Sequence, residues 1–239
     1  MGCLMTQIPQ TRETQPKPTN WGRMIRVWTM LLLAITVGTL IGWAALPLVA
    51  DAPAAATTTD AAAIRAVVWP NEMAPSRTWR TIVIHHSATV SGTLEAIDAG
   101  HRNRGFTNGV AYHFLINNGR AAGAVDGQIL PTVRWIDQLD GAHTKVADHP
   151  EFNTEGIGIC LIGNFDLHEP TAAQMASLEM LVLALRNRYQ IPLDGILCHG
   201  ELKNTHCPGR LFPMEQFFMA VRQDHVKRLI STVSAAETD

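Results

Sequence analysis

The sequence predicts an α/β fold in which a mixed central β-sheet is flanked by helices. Short runs rich in apolar and β-branched residues alternate along the chain with longer segments of helical periodicity. Capping and turn residues separate these segments, and such alternation is typical of α/β domains. We predict strands at residues 81–85, 110–116, 156–162 and 196–199, and helices at 93–104, 171–189 and 213–231.

The first three elements are predicted from local chemistry. Residues 81–85 form the β-branched run TIVIH, which is typical of a buried strand. Thr93 is a suitable N-cap for the helix that follows, and Gly105 is a suitable stop. The run VAYHFLI at 110–116 then alternates like a strand, and Asn117-Asn118-Gly119 favours a tight hairpin turn because Asn and Gly tolerate positive φ.

The second half of the chain completes the alternation. The run GIGICLI at 156–162 predicts a second buried strand. Thr171, with Gln174 three residues later, predicts a capping box that opens a helix continuing to Tyr189. A short strand and a C-terminal helix follow. These elements define a predicted domain at 67–232 and a short tail at 233–239.

Composition limits the classes of protein to consider. The chain has 239 residues, of which 46% are apolar and 17% charged, so it can bury the core of a folded domain and is not a disordered chain. Its net charge of −2 supplies no electrostatic attraction for nucleic acid, and we expect no nucleic-acid partner. Four cysteines, at positions 3, 160, 198 and 207, are too few and too irregularly spaced for a disulfide framework.

The N-terminal region carries a candidate membrane anchor. No charged residue lies between Arg26 and Asp51, and residues 27–50 would span about 36 Å as a helix, against a hydrocarbon core of about 30 Å. Basic residues outnumber acidic ones in the preceding segment 1–26. We therefore predict a transmembrane helix with a cytoplasmic N-terminus and an exported C-terminal domain, in the periplasm or on the outer face.

Two further predictions concern the same region. Residues 51–66 are rich in Ala and Thr and predict a flexible linker. Ala50-Asp51-Ala52 offers a small-x-small cleavage site, so the alternative to an anchor is a cleaved signal peptide and a secreted protein.

Three side chains suggest a metal site. His85 and His199 lie at the ends of two predicted strands, where ligand sites gather in open α/β sheets, and Cys207 follows His199 by eight residues. Two imidazoles and a thiolate suit Zn²⁺ and leave a fourth position open, as in catalytic zinc sites. A single histidine at a strand end is more often a hydrogen-bonded structural residue, so spacing alone leaves both interpretations open.

Five segments then add a family resemblance. In chain order they are TIVIHHSAT, NGVAYHFLINNGR, GAHT, NTEGIGICLIGNF and LCHGELKNTHCPG. They resemble the zinc amidase family that includes phage amidase-type lysozymes and animal peptidoglycan recognition proteins, over about residues 80–217. The resemblance implies one zinc ion and cleavage of the amide between N-acetylmuramic acid and L-alanine of the stem peptide. It also implies peptidoglycan or muropeptides as the partner.

The resemblance also implies roles for individual residues. His85, His199 and Cys207 match the zinc ligands, and Tyr112 matches the catalytic tyrosine. Thr205 stands where phage enzymes have lysine, so it can donate a hydrogen bond to an oxyanion without adding positive charge. Cys-His-Gly-Glu replaces the more common Gly-His-Arg-Asp, which leaves the outer partner of His199 open. No acidic residue in these motifs is an obvious general base.

Five other residues have predicted roles. His86, His143 and Asn153 are predicted to contact substrate. Hydrogen bonding in the core is an equal alternative for His86, as is loop capping for Asn153. Cys160 and Cys198 are predicted to be buried core residues.

We expect an N-acetylmuramoyl-L-alanine amidase that uses a zinc-activated water. The main alternative is a peptidoglycan-binding recognition protein without activity, a kind that generally lacks the cysteine ligand. A cytoplasmic recycling amidase typically has Asp as the third ligand and no export segment, and a phage lysis enzyme would not need a tether.

Overall fold

The computed structural model describes residues 61–70 and 77–236, in which a five-stranded sheet is the central element. Its strands are β1 (Thr81–His86), β2 (Phe114–Ile116), β3 (Ile129–Pro131), β4 (Gly156–Leu161) and β5 (Ile196–Cys198). The strand order is β3-β2-β4-β1-β5, and β3 alone runs antiparallel to its neighbour. The predicted α/β class with a mixed sheet is confirmed.

Seven helices accompany the sheet within the described ranges. They are α1 (Ala61–Val68), α2 (Leu94–Asn103), α3 (Val133–Ile136), α4 (Glu151–Thr154), α5 (Ala172–Tyr189), α6 (His199–Leu202) and α7 (Met214–Ala236). A 3₁₀ turn, Leu193–Gly195, precedes β5. None of the described helices combines the length and the apolar character that a bilayer crossing requires.

The two faces of the sheet bury different kinds of residue. Because successive side chains point to opposite faces, Ile82, Ile84 and His86 of β1 lie on one face and Val83 and His85 on the other. The first face packs against α1, α5 and α7 and forms the main apolar core. The second face packs against α2 and carries a smaller cluster that includes Cys160. His85 and Cys160 are direct partners in the β1–β4 register and therefore share this second face.

The predicted helix caps are confirmed. The Thr93 side chain accepts a hydrogen bond from Ala96 N at 3.2 Å, and α2 ends before Gly105, whose φ is +89°. At α5, Thr171 Oγ1 accepts from Gln174 N at 3.0 Å, and the Gln174 side chain accepts from Thr171 N at 3.2 Å. Both bonds of the capping box are present because each needs only residues close in sequence.

The prediction of a strand over 110–116 is wrong for its first four residues. Val110 N donates to Asp98 Oδ1 at 3.1 Å, and Ala111 N donates to His101 Nδ1 at 2.9 Å. Side chains of α2 thus accept the N–H hydrogen bonds that a neighbouring strand would otherwise accept. The strand β2 therefore begins only at Phe114. Tyr112 consequently lies in an irregular segment before β2 rather than on a strand.

The predicted tight turn after β2 is also wrong. Ile116 pairs with Ile129, so β2 and β3 form a hairpin closed by the long loop 117–128. The Asn118 side chain donates to Val90 O and accepts from Arg120 N, which directs the chain into this wider loop.

The structure also changes the boundaries of the domain. Residues 61–66 of the predicted linker are helical in α1, where Ile64 and Val68 are buried in the main core. Burial of those two side chains explains why a segment of apparently simple composition is folded. The remainder of the linker, the tail 1–26 and the predicted anchor 27–50 lie outside the described residues. At the other end, α7 continues to Ala236, into the predicted tail.

Candidate metal centre and active site

His85, His199 and Cys207 converge at the carboxyl end of the parallel strands. Their ligand atoms all lie within 4.8 Å of one another, and His85 Nδ1 is 3.7 Å from Cys207 Sγ. The rings of His85 and His199 have centroids 4.6 Å apart. Of the two adjacent histidines of β1, His85 therefore faces the cluster.

The turn from β5 into α6 positions His199. Cys198 is the last residue of β5 and the N-cap of α6, and its N–H donates to the Glu201 carboxylate at 2.5 Å. Gly200, which directly follows His199, donates its N–H to Cys207 O at 2.7 Å. A Cβ at Gly200 would lie 2.8 Å from Thr205 O and 3.0 Å from Cys207 O. Glycine thus allows the His199 turn and the Cys207 loop to approach each other.

The loop that carries Cys207 is held from both sides. Thr205 Oγ1 accepts a hydrogen bond from Cys207 N at 3.3 Å. Beyond the cysteine, Arg210 N donates to Asp166 Oδ1 at 3.1 Å and Leu211 N donates to Phe165 O at 2.7 Å. These bonds join the loop to the segment after β4 and restrict where the thiol can lie.

The donor atoms fit a metal ion. His199 Nε2 is buried, and no described residue provides it with a hydrogen-bond partner, which is the expected state of a nitrogen whose lone pair binds a metal. Metal–nitrogen bonds of 2.0–2.1 Å and metal–sulfur bonds of 2.3 Å place N and S about 3.5 Å apart in a tetrahedral site. The observed 3.7 Å between His85 Nδ1 and Cys207 Sγ is close to that separation.

Electrostatics at the cluster favours neutral groups. Burial lowers the pKa of His85 well below its usual value, with nearby His143 and His199 adding to the effect, and burial also lowers the pKa of His199. Both imidazoles are thus neutral at pH 7, as metal ligands must be. Burial raises the pKa of the Cys207 thiol to about 11, so binding of a metal by its thiolate would release a proton.

Tyr112 lies beside the cluster although it is not on a strand. Its ring centroid is 5.1 Å from that of His85, and its carbonyl accepts from Thr132 Oγ1 at 2.7 Å. Burial, followed by the nearby Cys160 and Cys207 thiols, raises the pKa of Tyr112 well above its usual value. The phenol therefore keeps its proton at neutral pH and can act as a hydrogen-bond donor.

His143 is placed differently from the prediction. It was predicted to line a substrate groove, but its ring is buried, with Nδ1 3.1 Å from His85 Nε2 and Nε2 3.3 Å from Gly156 O. Both ring nitrogens have partners within the protein, so His143 supports a candidate ligand instead of facing a groove. Gly158 in the middle of β4 was a sequence signal for this contact, because glycine inside a strand often marks a close approach.

His86 and Asn153 both make hydrogen bonds within the protein, in line with core hydrogen bonding for His86 and loop capping for Asn153. His86 Nδ1 accepts from Phe165 N at 3.1 Å. Asn153 Oδ1 accepts from the N–H groups of His143 and Thr144 at 3.0 and 3.1 Å, and its amide nitrogen donates to Thr144 O. Asn153 thus caps the loop that carries His143, and its predicted contact with substrate is not supported by this geometry.

Cys160 and Cys198 are buried, as predicted. Both are free thiols with no exposed surface. Cys198 belongs to the main core, whereas Cys160 lies under Tyr112 in the smaller cluster. The carboxylate of Glu201, two residues after His199, accepts from the Cys198 backbone N–H.

Replacing Gly158 with alanine is expected to destabilise the domain by about 1–3 kcal/mol, the usual cost of overpacking. The new Cβ would lie 2.3 Å from His143 Cδ2, so the ring or the strand must shift. Urea unfolding measures the change. Gly100→Ala is the matched control: no atom lies within 4 Å of its added Cβ, and in the interior of α2 it should stabilise by up to about 1 kcal/mol. Equal stability of Gly158→Ala and wild type would contradict the close contact.

Fold and site together define a class of protein. Two histidines and one cysteine converge at the carboxyl edge of the sheet, and a tyrosine lies beside them. The protein is thus an α/β domain with a candidate open metal site. The particular family follows from comparison with known proteins. The family model described as N-acetylmuramoyl-L-alanine amidase matches residues 75–210, and the chain belongs to this family.

Individual relatives agree with this assignment. A peptidoglycan-recognition protein of Drosophila simulans is 30% identical over 140 residues, covering 55% of this chain and 69% of the relative. An endolysin of Enterobacteria phage T3 is 28% identical over 144 residues, covering 56% and 83% of the two chains. A solved endolysin N-acetylmuramoyl-L-alanine amidase from Clostridium intestinale aligns with a TM-score of 0.52 and 31% identity over 61% of this chain and 84% of that one.

Membership of the family leaves one choice open for this chain. The relatives include proteins named as an amidase and an endolysin and others named for peptidoglycan recognition. Whether this chain cleaves peptidoglycan or only binds it has to be argued from the residues of the site.

Proposed function

We propose that this protein is a zinc-dependent N-acetylmuramoyl-L-alanine amidase. The reaction is hydrolysis of the amide between the lactyl group of N-acetylmuramic acid and L-alanine of the stem peptide, in peptidoglycan or its muropeptide fragments. The observation that carries the proposal is the convergence of all three candidate ligand atoms within 4.8 Å, with the Tyr112 ring 5.1 Å from that of His85.

The site residues have separate tasks in this reaction. His85, His199 and Cys207 would hold one zinc ion, which when bound supplies a Lewis acid for the amide carbonyl and lowers the pKa of water. Tyr112, which keeps its proton because burial raises its pKa, donates a hydrogen bond to the oxygen on which negative charge develops.

Thr205 supports Tyr112 in a lesser role. Its Oγ1 already accepts a hydrogen bond from Cys207 N, which leaves the hydroxyl proton free to donate. A neutral hydroxyl stabilises an oxyanion less than a lysine ammonium at the same place would. We therefore assign Thr205 both the anchoring of the Cys207 loop and a secondary contact with the reacting oxygen.

The competing proposal is a recognition protein that binds peptidoglycan without cutting it. Several relatives carry recognition-protein names, so this proposal has the same family support. A protein that only binds has no need for converging metal ligands or for a half-buried, protonated tyrosine beside them. Retention of Cys207 and Tyr112 together favours the enzyme.

Mass spectrometry of products from purified muropeptides tests the proposal directly. The expected result is release of a free stem peptide that begins with L-alanine, together with one zinc per chain by elemental analysis. Binding of the muropeptide without any product would select the recognition protein, and cleavage at another bond would overturn the assigned reaction.

We further propose that residues 27–50 anchor the domain to the membrane, so that it acts on peptidoglycan outside the cytoplasm. The uncharged run and the basic residues before it support this orientation. Carbonate extraction and N-terminal sequencing of the native protein provide the test. A soluble mature chain beginning near residue 51 would replace the anchor with a cleaved signal peptide.

A further inference from the structure

A relay of three groups leads from the β4 backbone to the candidate metal centre. The carbonyl of Gly156, the first residue of β4, lies 3.3 Å from His143 Nε2. The other nitrogen of the same ring, Nδ1, lies 3.1 Å from His85 Nε2. His85 in turn presents its own Nδ1 to Cys207 Sγ at 3.7 Å. In both the His143 and the His85 ring, Nε2 faces the backbone end of the relay and Nδ1 faces the metal-ligand cluster.

The hydrogen-bonding capacity of these groups allows one arrangement of protons. A backbone carbonyl can only accept, so His143 Nε2 must carry a proton and donate it to Gly156 O. In a neutral imidazole the other nitrogen is then an acceptor, and His143 Nδ1 accepts from His85 Nε2. A neutral His85 protonated at Nε2 has a bare lone pair at Nδ1, which is the atom that faces Cys207.

We infer that His143 is a positioning residue that selects the His85 tautomer able to bind zinc through Nδ1. The inference rests on the proposed zinc site and assigns His143 no contact with substrate. A ligating histidine commonly donates its second N–H to a neighbouring acceptor, which orients the ring and strengthens it as a ligand. Here that acceptor is another histidine, itself oriented by the backbone of β4.

The space around His143 is shaped for its ring. A Cβ at Gly158 would lie 2.3 Å from His143 Cδ2, and a Cβ at Gly141 would lie 2.4 Å from the same atom. The backbone N–H of His143 is held by Asn153 Oδ1 at 3.0 Å. Two glycines thus make room for the ring against the backbone, and one side-chain cap holds the main chain of His143 beside His85.

Leucine and asparagine at position 143 form a matched pair for the test. The two side chains have nearly the same shape, but asparagine places an oxygen near the position of His143 Nδ1, where it can accept from His85 Nε2. Zinc affinity of the full-length protein, measured by competition with a chromophoric chelator, should fall about 10–100-fold in His143→Leu, the usual effect of losing such a partner. His143→Asn should remain close to wild type.

Nitrogen-15 NMR of the metal-free wild type provides an independent readout. Long-range proton–nitrogen correlations distinguish the two tautomers, and His85 should carry its proton at Nε2. His143→Leu should show a mixture of both tautomers. A proton at His85 Nδ1 in the wild type would overturn the relay, as would equal zinc affinities in the two variants.

The two readouts also separate this inference from the proposed function. Failure of the wild type to bind zinc would overturn the proposed function, while the NMR measurement would still decide the relay. If wild type binds zinc and His143→Leu binds it equally well, the relay alone is wrong. Circular dichroism checks that both variants are folded. If either variant is unfolded, the NMR measurement on the wild type alone decides whether the relay exists.

Discussion

Replacing Cys207 with serine should abolish amide cleavage and remove the zinc ion. A neutral hydroxyl replaces the only candidate thiolate of the cluster, and the two remaining imidazoles cannot complete a three-ligand site. Loss of an outer partner alone costs about 10–100-fold in metal affinity or activity, so loss of a direct ligand should cost more than about 10²-fold in rate. Elemental analysis for zinc and the rate of muropeptide cleavage measure the two effects.

Cys198→Ser is the matched control for this experiment. It makes the same chemical change at a buried free cysteine, which packs in the main core and caps α6 instead of facing the cluster. Serine is itself a good N-cap, so the α6 turn should persist and zinc should remain bound. A Cys207→Ser protein that kept both its zinc and its rate would exclude Cys207 from the site.

Replacing Tyr112 with phenylalanine should lower the rate about 10²-fold and leave zinc stoichiometry unchanged. The ring keeps its packing beside His85, and only the donor for the developing oxyanion is lost. Removal of one such donor typically costs on the order of 10²–10³ in rate. The effect should appear mainly in kcat, because the hydrogen bond strengthens as charge develops on the oxygen.

Tyr189 provides the control, since the chain contains two tyrosines. It ends α5, and its hydroxyl accepts from Trp69 Nε1 at 3.4 Å. Tyr189→Phe should therefore leave the rate unchanged. A Tyr112→Phe protein as fast as the Tyr189→Phe protein would remove Tyr112 from the mechanism.

Elements stabilised by nearby residues were predicted well. The capping box of Thr171 and Gln174 and the cap at Thr93 form within one turn of helix, so sequence patterns identify them. The buried strands β1 and β4 were equally predictable, because a short apolar run rich in β-branched residues is typical of a strand buried in a sheet. His85 lies near the end of β1 and His199 directly follows β5, close to the strand ends at which they were predicted.

Elements stabilised by distant residues were not predicted. The segment before β2 alternates like a strand, but Asp98 and His101 of α2 bind its N–H groups, and no periodicity in the segment reveals that. The predicted linker contained Ile64, whose burial depends on packing against helices more than a hundred residues later in the chain. Both outcomes are tertiary contacts that override a local pattern.

The sequence by itself determined the α/β class and the buried strands, because apolar periodicity is a local property, and the resemblance of its motifs to a known family indicated the three candidate ligands. Only the tertiary structure decided what the neighbouring side chains do. His143 was predicted to contact substrate, yet its ring lies between Gly156 O and His85 Nε2. A histidine's partners depend on which strands and loops meet around its ring, and that is settled by the packing of the whole domain.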